Sequence, residues 1–83
     1  MNQNPIAPQD HLNFPGRPQG YVVRIGKQQW NHPVRFVAKD TRNVIIAAGT
    51  VQQGAPFREF LVHPNTGFTV LNVGEWTLVA QWP

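Results

Sequence analysis

From Gly20 onward, turn-forming residues interrupt the chain roughly every ten positions, and the runs between them alternate apolar and polar side chains. This punctuation leaves no stretch for a helix with a sustained apolar face, so the chain is confined to short strands. The clearest run is the last, residues 72–83, N-V-G-E-W-T-L-V-A-Q-W-P. After a Gly-containing turn, Trp76, Leu78, Ala80 and Trp82 are expected on one face and Thr77, Val79 and Gln81 on the other. A closing strand with one apolar face needs a sheet to join.

The residues from 20 onward supply that sheet. Residues 21–25 (Y-V-V-R-I) form the first run, and 34–39 (V-R-F-V-A-K) the second, with Val34, Phe36 and Ala38 on one side. The tetrapeptide Asp40-Thr41-Arg42-Asn43 reads as a turn, because Asp and Asn side chains bond their own backbone. Residues 44–52 follow, with Gly49 suggesting a bulge or bend. In 57–62 the inward face is open between Phe57/Leu61 and Phe60/Val62, and 68–71 leads into the closing strand. The expected fold is all-β: a small antiparallel sandwich of six to seven strands over residues 20–83. Its expected core is Val23, Ile25, Val34, Phe36, Ile45, Phe60, Val70, Trp76 and Leu78.

Residues 1–19 read differently. The prolines Pro5, Pro8, Pro15 and Pro18 each fix φ and push the preceding residue to an extended conformation. The expectation is an extended Pro-rich arm that joins no ladder. Ile6, Leu12 and Phe14 are spaced along it like anchors, so the arm is expected to strap onto a partner through Pro5, Ile6, Pro8, Leu12, Phe14 and Pro15.

Residue types narrow the chemistry. The chain has no Ser and no Cys, which removes the two commonest nucleophiles, disulfides and thiolate metal sites. The four carboxylates, Asp10, Asp40, Glu59 and Glu75, show no spacing that would pair them as acid and base. His11, His32 and His63 lack close metal-ligand spacing. No enzyme activity, no cofactor and no metal are expected. No apolar run approaches the roughly 18 residues of a membrane span, and the N-terminus lacks the basic start and apolar centre of a signal peptide. A soluble chain, cytoplasmic before any assembly, is the expectation.

The surface is mildly basic, with a net charge of +3, and amide-rich, with eight Gln and seven Asn. Arg24, Arg35, Lys39 and Arg58 fall on outward positions of their runs and form a candidate face for an acidic partner. Trp30 and Phe36 lie among basic residues, the mixture that single-strand nucleic-acid binders use. The alternation makes Phe36 core instead, so nucleic acid is not the expected partner.

The segment G-E-W-T-L-V-A-Q resembles the terminal strand of immunoglobulin-like and transthyretin-like sandwich domains. Similarly, A-K-D-T-R-N-V-I-I-A-A-G-T-V resembles an earlier hairpin of such domains, although the chain lacks their Cys pair. The resemblance implies a sandwich and no particular activity. With its arm and small size, the chain also resembles small virion decoration, cement or minor capsid proteins. That resemblance implies a structural subunit that straps onto a larger protein assembly, with the virion as its location and self-association open. Two alternatives remain: a free module or inhibitor docking one target, and a small nucleic-acid-binding barrel.

Overall fold

The computed structural model describes residues 1–29 and 31–83. Among these, eight strands and no helix are present: β1 (Asn2–Ile6), β2 (His11–Phe14), β3 (Tyr21–Lys27), β4 (Val34–Asp40), β5 (Ile45–Val51), β6 (Phe57–Val62), β7 (Phe68–Asn72) and β8 (Leu78–Trp82). They form two four-stranded antiparallel sheets, ordered β1-β8-β3-β6 and β2-β7-β4-β5. The β4–β5 hairpin is the one link that stays within a sheet, and each other link crosses between sheets. The hairpin turn is built as its residues dictate. Asp40 Oδ1 accepts from the backbone N–H groups of Arg42 (2.9 Å) and Val44 (3.0 Å), and Asn43 takes the left-handed conformation at φ 65°.

Alternation decides the inner faces. Val23 and Ile25 from β3 meet Val34, Phe36 and Ala38 from β4, Val70 from β7, and Leu78 and Ala80 from β8, all buried. In β6 the inward pair is Phe60 and Val62, while Leu61 is exposed. An aromatic file runs through the core. Phe14 stacks on Phe68 at 4.6 Å, Trp82 meets Phe14 edge-on at 4.8 Å, and Phe60 bridges Phe68 (6.0 Å) to Phe36 (5.9 Å). Such pairs contribute about 0.5–1.5 kcal/mol each beyond the area they bury.

The N-terminal residues depart from expectation. They form no free arm: β1 pairs with β8 from Asn2↔Trp82 to Ile6↔Leu78, and β2 pairs with β7 from His11↔Leu71 to Phe14↔Phe68. The sandwich therefore has eight strands in place of six or seven. The prolines permit this because each sits where a ladder tolerates one. Pro5 lies in an edge strand, where Pro is accommodated. Pro8 occupies the second place of the tight turn linking the two strands, closed by Asp10 N–H donating to Ala7 O at 3.0 Å. Gln9 follows at φ 67°, the arrangement of a type II turn. Pro15 comes just after β2 ends.

Three further positions differ. Trp76 is 37 % exposed and lies before β8 begins, because the turn out of β7 interrupts the alternation; Trp82 packs against the core instead. Ile45 is 58 % exposed, since a bulge between Ala38 and Lys39 reverses the facing of the first residues of β5. Gly49 itself makes no bulge and pairs regularly with Phe36.

Among the described residues one polar side chain is fully buried. Asn72, 1 % exposed, donates through Nδ2 to Ile6 O and Trp76 O, both at 2.8 Å, and accepts at Oδ1 from Gly74 N–H at 3.0 Å. Its backbone also exchanges bonds with the β1–β2 turn, through Asp10 O at 3.0 Å and Gln9 N–H at 2.9 Å. Asn72 thus ties the N-terminal hairpin, the β7–β8 turn and the core into one unit. Gly74 allows that turn to lie against β4, where a Cβ would come 3.1 Å from Arg35 N.

Candidate functional site

The four edge strands of the two sheets are not alike. An edge strand presents unpaired N–H and C=O groups, and proteins blunt it with charge, Pro or shortness. β1 carries Pro5, and β2 is four residues long between Asp10 and Pro15. β6 carries Arg58 and Glu59. β5, I-I-A-A-G-T-V, is seven residues long with no charge and no Pro. It sits at the open end of the order β2-β7-β4-β5, and no strand lies beyond it among the described residues. Its start is apolar and exposed, Val44 at 51 % and Ile45 at 58 %, and its middle is small: Ala47, Ala48, Gly49.

Cations surround this edge. Arg35 pairs in register with Thr50, and Lys39 with Ile45, so both stand on the outer face of the second sheet, one strand in from the edge. Arg58 reaches from β6 across the open side of the sandwich, and its guanidinium lies over Gly49, where a Cβ would come 2.5 Å from Nη1. Glycine at position 49 is what leaves room for it. Among the described residues no carboxylate lies within 4.0 Å of Arg35, Lys39 or Arg58.

Arg24 does not belong to this group. It stands on the outer face of the other sheet, over the Phe57 ring at 4.0 Å and 3.8 Å from Glu59. The candidate acidic-partner face of Arg24, Arg35, Lys39 and Arg58 is therefore divided. Three members frame β5, and Arg24 is engaged elsewhere. Arg58 is not outward as expected: in register with the buried Ile25, it stands on the inner side of β6 at the open side of the sandwich, and sequence spacing told neither its face nor the sheet of the other three.

The proposed arm contacts are also redistributed. Ile6 (2 % exposed) and Phe14 (5 %) are core residues of the chain's own sandwich, and Leu12 packs against them. Pro5, Pro8 and Pro15 remain exposed on the β1/β2 side. The anchors thus fasten the N-terminal strands to this chain, not to a neighbour.

At one end of the sandwich, His32 stacks on Trp76 at 3.6 Å and 7° between planes, beside Arg35 and Glu75 in a shallow groove. Trp30, the other candidate stacking aromatic, lies outside the described residues. At the opposite end, the Arg17 guanidinium lies 4.7 Å from the Tyr21 ring centre and donates to Pro83 O at 2.8 Å. Burial pushes the Tyr21 phenol up against the opposing pull of Arg17, and its hydroxyl has no partner among the described residues. His11, on the outer face of β2, and His63, in the β6–β7 loop, stand apart from each other at the two ends of β7, and no group of three His, Asp or Glu converges among the described residues. Among the described residues no helix is long and apolar enough to cross a membrane.

Compared with known protein families and with curated proteins, the chain matches none.

Proposed function

We propose that this chain is a non-enzymatic binding module, a structural subunit that joins a larger protein assembly through the outer edge of β5. The observation that carries this reading is the contrast between edges: β1, β2 and β6 bear a Pro, shortness or charges that discourage strand addition, and β5 bears none of these, its bulge being confined to its first residues. The amide-rich, lightly charged composition suits a surface packed against other proteins. In its most specific form the reading makes the chain a decoration, cement or minor capsid subunit of a virion-like particle. Attachment by an N-terminal strap is not part of it, because Ile6 and Phe14 are occupied in the chain's own core.

The experiment is fractionation of an extract of the native source by gel filtration, with antibody detection. The chain is expected to elute with a particle far larger than itself. Elution wholly at the mass of one chain would leave the free-module reading in its place. The groove joining Trp76 to Arg35 favours a second reading, stacking of a single-stranded nucleic acid. One aromatic and one cation beside Glu75 make a weak platform. Labelled oligonucleotides are expected to show no binding below about 1 μM at about 150 mM salt.

A further inference from the structure

We infer that the partner at β5 is an extended acidic segment of another protein, added to the second sheet as an outer strand; this rests on the assembly reading above. The backbone supplies the affinity, through the row of N–H and C=O groups that β5 leaves unpaired. The side chains supply the choice of partner. The small residues at the centre of β5 let a second backbone approach without displacing anything. Arg58 lies over Gly49 on the inner face of β5 and adds positive charge near the edge. Arg35 and Lys39 stand one strand in, about 10 Å from an added strand, a span that long basic and acidic side chains cover between them. Among the described residues no carboxylate comes within 4.0 Å of these cations, and a segment carrying Asp or Glu at alternate positions presents them on the outer face to Arg35 and Lys39.

The same charges argue against a second copy of the chain. Antiparallel pairing of two β5 strands about Ala48 sets Gly49 of each copy beside Ala47 of the other. Both Arg58 guanidiniums then meet at one seam, between two chains of net charge +3. A nucleic acid would satisfy the cations but not the alternating donor and acceptor row of the strand.

The test titrates the 15N-labelled full chain with a synthetic peptide of about eight residues alternating Val with Glu, at low salt and at about 150 mM. Two control peptides replace every Glu by Lys, or methylate alternate backbone nitrogens. The Val–Glu peptide is expected to shift the β5 amides and slow their hydrogen exchange. The Lys peptide and the N-methylated peptide should each bind about tenfold more weakly. Arg35→Gln with Lys39→Gln, at exposed and half-exposed positions and checked for an unchanged melt, should lower affinity about tenfold. Equal binding of the Glu and Lys peptides overturns the inference. So does no shift at about 1 mM peptide, shifts centred on β6 or the β3 face, or dimers of the chain alone on gel filtration. If the chain still travels with a particle while the acidic peptide fails, the assembly reading stands and the acidic strand falls.

Discussion

Replacing Asn72 tests whether a single amide holds the N-terminal strands to the sandwich. Asn72→Ala removes two donated bonds of 2.8 Å and one accepted bond of 3.0 Å, leaving Ile6 O, Trp76 O and Gly74 N–H without their partner. Each hydrogen bond contributes about 0.5–1.5 kcal/mol net, and a stranded buried group costs about 1–3 kcal/mol. Some of the three will find water as the turn relaxes, so a total loss of about 3–5 kcal/mol is expected. A chain of this size has about 4–12 kcal/mol in all, at about 0.05–0.15 kcal/mol per residue. The variant should therefore sit near its unfolding threshold. Urea denaturation followed by Trp fluorescence measures the loss, and hydrogen exchange locates it. Amides of β1, the β1–β2 turn and residues 73–77 should lose protection before those of β4 and β5.

Asn72→Asp adds a sign test. The ionised carboxylate would face two carbonyl oxygens in a buried site, so its pKa should be raised above the ordinary value. The penalty is then smallest below about pH 4 and grows as pH rises through the raised value. A loss under about 0.5 kcal/mol for Asn72→Ala, or an Asp variant whose deficit shrinks toward neutral pH, would refute the reasoning.

Removing residues 2–14 should unfold the domain or leave it molten, since Ile6 and Phe14 each contribute about 1.5–3 kcal/mol by burial and the β7 and β8 edges would be bared; circular dichroism melts check this, and a parent-like melt would contradict the pairing described. Trp82→Ala should destabilise more than Trp76→Ala, the latter losing about 1 kcal/mol with its His32 stack. Equal costs in urea melts would mean that both rings are core. Asp40 is held below its ordinary carboxylate range, first by the Val44 N–H bond and then by Arg42. Its contribution is complete above the unfolded value of 3.8 and is lost as pH falls through the lowered folded value. Asp40→Asn should therefore flatten the acid limb of the stability–pH curve, and an unchanged limb would remove the turn bonds from the account.

What the sequence determined by itself was local. The alternation of Val34, Phe36 and Ala38 states which side of β4 is buried, and Asp40 to Asn43 closes its turn with its own side chains. Both follow from contacts within a few residues, which period and turn chemistry report directly. The general outward placement of Arg35 and Lys39 was legible for the same reason. Only the tertiary structure decided the rest, because it depends on partners far away in the chain. The Pro-rich start reads as an arm until residues 78–82 offer a ladder for Asn2–Ile6, where an edge position accommodates Pro5. Trp76 and Trp82 look equivalent by period, yet one precedes the strand and the other meets Phe14. Asn72 looks like an ordinary turn residue until Ile6 O arrives from the other end of the chain. The candidate edge has the same origin: it exists because β5 ends a sheet whose order no local pattern encodes, with Arg58 brought over Gly49 from the opposite sheet.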